Sequence, residues 1–447
     1  MRTLSDVSAA LATGRVTSRQ LVEECLARIA DPGGEGGRAF VKVHAAAARA
    51  MADASDGLRR VGRAPGPMAG IPVSVKDLFD VAGEPTPAGS RVLADAPPAV
   101  RNAPLIQRML DAGFVILGRT NMTEFAFSGL GINPHYGTPR SPWDRATGRI
   151  PGGSSSGAAV SISDGMAFAA LGTDTGGSCR VPAAMCGIVG YKPTARRVPL
   201  AGVLPLSPSL DSIGPLANSV ACCATVDAVL AGEALPEVRR APVTGMRLAV
   251  PTNYAFDLVD ATVSRAFEAA LGKLSKAGAR VERVAFAALD EIAVANRTGG
   301  LAASEAFAWH RALLSAKRAG YDPMVRKRIE RGEAMTAADY IDLVAARAAI
   351  IRRFDAATRD YDAVVLPTCP LVPPVIAALE ADEGEYTRVN MLQLRNPMAG
   401  NFLDRCAISL PCHAPGEAPV GFMVMGETMG DTGLFAVAGG IEEVLAC

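Results

Sequence analysis

The chain has 447 residues, 49% apolar and 20% charged, and its 45 basic and 45 acidic side chains cancel to a formal net charge of zero. This length allows one large domain or two to three ordinary ones. The balanced charge gives no global field for nucleic acid or an anionic membrane surface, and with aromatics at only 5% a stacking platform for single-stranded nucleic acid is disfavoured too.

In chain order, residues 1–7 hold no uninterrupted apolar core of signal-peptide length. Thr17-x-x-Gln20 predicts a capping box before Leu21, Val22, Cys25, Leu26 and Ile29, which have helical spacing. The alanine-rich stretch from His44 to Arg60 continues as helix, and Gly62, Pro65, Gly66 and Pro67 punctuate the first break. Ile71 to Val75 is a short apolar strand ending at Lys76. Leu105, Ile106, Met109 and Leu110 make a helix face closed by Gly113, and residues 114–117 follow as a buried strand. Ser156 to Ile162 starts a small-residue helix. Further strands are expected at 246–250, 281–284, 363–366, 407–410 and 420–425, with a helix from Ala261 to Ala277 and a long helical region from Ala302 to Arg353. Alternating strands and helices argue for one α/β domain over 1–447, a central mixed sheet covered by helices on both faces. Its core spans 67–232, with a helical excursion over 285–361. No apolar run reaches a membrane span. The nine cysteines are scattered without a C-x-x-C pair, so neither a zinc site nor a redox dithiol is indicated, and free thiols in a cytoplasmic protein are expected.

The chemistry concentrates in two glycine–serine stretches, residues 152–157 (Gly-Gly-Ser-Ser-Ser-Gly) and 173–178 (Thr-Asp-Thr-Gly-Gly-Ser), with Lys76 upstream. Taken alone, the first is most often a flexible loop. It is not a Walker A loop, because no lysine follows Gly157, and neither cluster has the spacing of a dinucleotide fingerprint. A Ser–His–Asp arrangement has no G-x-S-x-G elbow to support it. Of the four histidines, His310 reads as part of a solvated helix face, and His413, just past a strand, is the best-placed base. A lysine base must be neutral, and bringing its pKa from about 10.4 to near 7 means about 4 kcal/mol of disfavoured charge. Burial at the end of the strand Ile71 to Val75 can supply that, while a surface lysine or one paired with Asp77 remains the alternative.

Residues 70–77, 151–157, 172–184 and 187–194, in this order and with Ser154 and Ser178 24 positions apart, resemble the amidase signature family of serine hydrolases. The strong resemblance covers about 67–215, and weaker likeness includes 118–125 and 406–411. It implies the amidase signature fold and an amidohydrolase that cleaves an amide C–N bond through an acyl-enzyme. Ser178 is the implied nucleophile, Ser154 the bridging serine on a cis peptide bond, and Lys76 the base. Thr175, Gly176, Gly177 and Ser178 are the implied backbone donors of an oxyanion hole. No metal or cofactor is implied. Ser156, Ala158, Ala159 and Cys179 depart from the commoner family residues without touching this set.

The substrate is less legible. A small soluble amide is expected, with no membrane and no nucleic acid, and a homodimer stays open. Arg180 either meets a substrate carboxylate or pairs with a buried acid, the latter being favoured. Tyr136, next to His135, is a weak candidate for substrate contact, as are Glu305, Trp309 and a loop at Asn396-Pro397. One alternative is the glutaminase A subunit of a glutamyl-tRNA amidotransferase, which needs a partner protein. A catalytically inactive binding protein on the same fold is a third reading, which the presence of Lys76, Ser154 and Ser178 disfavours.

Overall fold

The computed structural model describes residues 2–237 and 239–446. Met1, the first residue of the N-terminal segment, and Cys447, the ninth cysteine, lie outside them. Local chemistry sets the first elements. The Thr17 hydroxyl accepts from Gln20 N while the Gln20 side chain accepts from Thr17 N, and this capping box opens helix Ser18–Ala30, which buries Leu21, Val22, Cys25, Leu26 and Ile29. Gly113, at φ 86°, turns the chain between helix Pro104–Asp111 and the next strand.

Eleven strands form one sheet among the described residues: β1 (Phe40–Val43), β2 (Pro72–Lys76), β3 (Val115–Thr120), β4 (Ala169–Asp174), β5 (Val189–Lys192), β6 (Ser212–Ala217), β7 (Arg247–Pro251), β8 (Arg280–Val284), β9 (Ala363–Pro367), β10 (Ala407–Pro411) and β11 (Gly421–Met425). Their order is β1-β3-β2-β4-β6-β5-β10-β11-β9-β7-β8. Two parallel blocks, β3-β2-β4 and β9-β7-β8, are joined through antiparallel pairs. The expected mixed sheet is therefore present, as one domain with helices flanking it. Helices Ser18–Ala30 and Ser156–Ser163 pack on β2, and every residue of β2 and β4 is buried, as sheets covered on both faces require. Because β2 and β4 are parallel, Lys76 and Asp174 finish at the same edge, where antiparallel β6 begins at Ser212 opposite Asp174. That carboxyl edge is where open α/β sheets place their sites.

Several expectations change. The expected helical region over 302–353 is present and is divided into three helices, Gly300–Lys317, Pro323–Glu330 and Ala337–Thr358. Pro323 opens the second under an Asp322 cap, and Thr336 with Asp339 opens the third by a capping box. Asn396 and Pro397 are not a loop; both are buried inside helix Glu383–Phe402, where the Tyr254 hydroxyl donates to the Arg395 carbonyl just before the proline. His310 is fully buried rather than solvated: its ring lies 4.4 Å from that of Phe125, Nδ1 is 3.0 Å from the Tyr321 hydroxyl, and burial pushes its pKa down to about 4. His413 is half-buried and its Nδ1 accepts from Val420 N, and among the described residues it makes no hydrogen bond to Lys76, Ser154 or Ser178. No helix among the described residues is long and apolar enough to cross a membrane.

Candidate active site

Lys76 is the last residue of β2 and is fully buried. Its Nζ lies 2.8 Å from Ser154 Oγ and 2.8 Å from Thr173 Oγ1. Burial pushes the amine's pKa down to about 7, with the charges of Asp174 and Asp211 pulling weakly the other way. Cys179, next to Ser178, contributes no charge near neutrality, because burial holds its thiol far above the usual value. The surface-lysine and Asp77-paired alternatives do not fit: Asp77 instead binds Arg119 Nε at 2.6 Å and Gly89 N at 3.0 Å.

Ser154 follows a cis peptide bond from Gly153. Its carbonyl accepts from Thr123 N at 3.1 Å, and Gly153 N donates to Gly129 O at 2.8 Å, so the loop after β3 cradles this serine. Gly153 has to be glycine, since a Cβ there would stand 2.5 Å from Gly131 N. The two serine stretches are tied together by Ser155 N, which donates to Ser178 O at 3.3 Å. The structure brings Lys76 and Ser154 into hydrogen-bond contact. Among the described residues, Ser178 Oγ makes no hydrogen bond to Ser154 Oγ.

Asp174 organises the turn that carries Ser178. Its carboxylate accepts from Gly177 N at 2.8 Å and Cys179 N at 3.1 Å, and from Arg180 Nε and Nη2 at 3.0 and 2.9 Å. Asn401 adds a donor at 2.9 Å. Burial alone would raise this carboxyl's pKa, but the Arg180 guanidinium overrides it and holds the group well below the usual carboxylate range. Gly177 sits at φ +131° with Pro397 so close that an added Cβ would be 2.7 Å from the proline Cβ. With Gly177 N–H given to Asp174, the N–H groups of Thr175, Gly176 and Ser178 donate to no protein acceptor among the described residues.

Arg180 is fully buried, its Nε and Nη2 both donate to Asp174, Nη2 also reaches Asn401 Oδ1 at 2.7 Å, and Nη1 lies 3.2 Å from Met423 Sδ. Of the two readings of Arg180, the favoured pair with a buried acid is the arrangement present, and its donors are taken up by protein acceptors rather than left for a substrate carboxylate. Breaking such a buried pair leaves an uncompensated charge. Arg180→Met is therefore expected to lower unfolding stability by about 3–5 kcal/mol, read by denaturant titration. A loss below about 1 kcal/mol would show that Asp174 is held by its other donors.

Tyr136 is half-buried, its hydroxyl 3.5 Å from Ser90 O, and His135 Nε2 is 2.8 Å from the buried Glu124 carboxylate. Glu305 accepts from Ser207, Ser209 and Tyr340 and so joins helices Gly300–Lys317 and Ala337–Thr358 to the loop before β6. Trp309 lies against Phe125 with ring centroids 6.4 Å apart.

Three residues escaped the sequence. Thr173, at the head of the stretch 173–178, touches Lys76, and Asp211 touches Thr175; nothing in the sequence marks either contact. Arg328 sits in the run Arg326-Lys327-Arg328-Ile329-Glu330-Arg331, which reads as a solvated face. In the structure it is half-buried over the Phe127 ring at 4.8 Å, its Nε is buried without a partner, and no ion pair reaches it among the described residues. It borders a cavity of about 270 Å³ together with Lys327, Arg331, Glu383 and Tyr386, and neither Lys76 nor the two serines line that cavity.

The sequence model of the amidase family matches residues 20–435. The chain belongs to the amidase family. Its activity is accordingly that of an amidohydrolase, acting on an amide C–N bond. It is 40% identical over 408 residues to 2-amino-5-chloromuconic acid deaminase of Comamonas testosteroni, covering 90% of this chain and 87% of that protein. It is 34% identical over 487 residues to the A subunit of the glutamyl-tRNA(Gln) amidotransferase of Chloroflexus aggregans, covering 99% and 96%. Among solved structures, one described as an amidase superposes with a TM-score of 0.89 at 34% identity, covering 99% of each chain.

Proposed function

We propose that this amidase works through Ser178, Ser154 and Lys76. The observation that carries the reading is the buried Lys76 amine, 2.8 Å from Ser154 Oγ and with its pKa brought to about 7. At neutral pH such an amine is available as a proton acceptor. Ser178 Oγ attacks the amide carbonyl carbon, and its proton passes by way of Ser154 Oγ to Lys76 Nζ. The negative oxygen of the tetrahedral intermediate lies at the free N–H groups of Thr175, Gly176 and Ser178. Gly177, whose N–H belongs to Asp174, shapes the turn rather than donating. The C–N bond then breaks, the relay returns the proton to the departing nitrogen, and ammonia or an amine leaves an ester on Ser178. Water repeats the sequence in the second half-reaction: it adds to the ester carbonyl, gives its proton through the same relay, and releases the acid as Ser178 recovers its hydrogen.

In this reading residues 67–232 form the chemical core and 285–361 supply part of the substrate wall. Arg328, an unpaired cation over Phe127, favours a substrate that carries an acidic group. The similarity to a deaminase of an unsaturated amino acid diacid points the same way. All eight described cysteines are free, which suits a reducing cytoplasmic setting.

The test is ammonia release by the purified chain alone from malonamate, glutamine, asparagine, aliphatic and aryl amides, ureido acids and 2-aminomuconate. Turnover of an acidic amide without any second protein is the expected result, and turnover of 2-aminomuconate, whose nitrogen is not on an acyl carbon, would speak against the acyl-enzyme. Glutamine turnover that appears only with a partner protein would instead favour the glutaminase role in an amidotransferase. Arg328→Met should raise KM for an acidic substrate by about 10- to 100-fold, while an uncharged amide of the panel keeps its KM. Equal effects on both would remove Arg328 from recognition.

A further inference from the structure

We propose that Asp211 is a positioning residue that sets the turn 175–178 through the side chain of Thr175. The inference rests on the reading of that turn as the oxyanion site. Thr175 Oγ1 donates to Asp211 Oδ1 at 2.5 Å, and both residues are buried. The other carboxylate oxygen of Asp211 accepts from Leu206 N at 3.0 Å and Ser207 N at 3.1 Å. One carboxylate therefore joins the loop 206–211 to the first residue of the turn.

That loop is itself anchored. Glu305, on helix Gly300–Lys317, accepts from Ser207 Oγ at 2.7 Å, Ser209 N at 3.0 Å and Ser209 Oγ at 2.5 Å. Tyr340, on helix Ala337–Thr358, donates to the same carboxylate at 2.8 Å. A continuous set of hydrogen bonds thus runs from two wall helices through Glu305, the loop and Asp211 to Thr175.

The turn needs a grip of this kind. Asp174 fixes its second half, through Gly177 N and Cys179 N. Nothing in Asp174 holds Thr175 or Gly176, and their N–H groups are the ones left free for the substrate oxygen. Glycine at 176 adds no side chain to pack, and the nearest heavy atom to a Cβ built there is Met398 Cγ at 4.0 Å. The Thr175 side chain is then the available handle, and Asp211 is what holds it. Donors aimed at a developing charge lose their effect when displaced by a fraction of an ångström, so the bond acts on the rate of the chemical step and not on substrate affinity.

The experiment compares Thr175→Val, which keeps shape and removes the donor, with Thr175→Ser, which keeps the donor, and with Asp211→Leu, which removes the acceptor. The readouts are kcat and KM on the best amide of the panel, the rate of labelling by a fluorophosphonate, and thermal stability. Thr175→Val and Asp211→Leu are expected to lower kcat and the labelling rate together by about 10- to 100-fold, with KM within about threefold, and Thr175→Ser to recover to within about threefold of the parent. A fall in melting temperature with kcat per labelled site unchanged would overturn the proposal, as would loss of kcat in Thr175→Ser equal to that in Thr175→Val. If Thr175→Val does not fold, Asp211→Leu carries the same comparison, because leucine of similar size offers Thr175 neither an acceptor nor a donor, whereas asparagine could still bond the threonine hydroxyl through its amide NH2. Ser178→Ala separates the two readings: labelling that survives it sinks the serine mechanism, whereas its loss beside a fully active Thr175→Val sinks the Asp211 assignment alone.

Discussion

Ser178→Ala should reduce amide hydrolysis by about six orders of magnitude, the loss seen when the nucleophile of a serine triad is removed. The size follows from the site. Once Ser178 Oγ is gone, the remaining groups can bind and polarise a carbonyl, but water must attack without an acyl intermediate. Asp174 and the cis Gly153–Ser154 peptide stay as they are, since the Ser178 side chain makes no hydrogen bond among the described residues. The variant should therefore fold normally. Ammonia release from the best panel substrate and covalent labelling by a fluorophosphonate measure the effect. Retention of labelling, or a rate loss below about tenfold, would exclude Ser178 as the nucleophile.

Lys76→Met should remove activity by at least about 10³-fold, and the parent enzyme should lose activity as pH falls through about 7, where the amine takes up a proton. The same residue has a signature in stability. Its folded pKa, about 7, is lowered from the 10.5 of an unfolded lysine, with burial as the main cause. Above pH 10.5 both states are neutral and the residue costs nothing. As pH falls from 10.5 to 7, the unfolded chain binds the proton first, so the parent loses stability relative to Lys76→Met by about 1.4 kcal/mol per pH unit. Below 7 the difference is constant. Denaturant titrations of both proteins at several pH values read this slope directly, and it is insensitive to the hydrogen bonds that methionine loses. A stability difference that does not change with pH would mean that Lys76 is protonated in the folded protein at neutrality, and the base would have to be another group.

The sequence carried its own account where local pattern and chemistry coincide. The capping box at Thr17, the strand ending at Lys76 and the late strands at 363, 407 and 421 appear within a residue or two of their expected places. Short central strands such as β5 and β6 were invisible, because Gly190, Gly214 and Pro215 interrupt any β pattern and only tertiary packing makes them extended. Helix Glu383–Phe402 hid behind Pro397, and His310 was misplaced because aromatic neighbours from the loop after β3 and from Tyr321 cover it. The same limit applies to the site. Motifs point to groups that are close in sequence, while the contacts of Thr173, Asp211 and Arg328 are made with neighbours that only the fold supplies.

Strand β10 lies between β5 and β11, and Asn401, just before it, donates to Asp174 at the head of the serine turn. Asp174 itself was made more than two hundred residues earlier. During synthesis the ribosome must therefore release nearly the whole polypeptide before the turn can acquire its final donor and the middle of the sheet can close. An incomplete nascent chain, or one truncated ahead of Asn401, holds every chemical group of the serine stretches and still lacks the frame that orients them. Premature termination should thus yield inert fragments rather than a stray hydrolase.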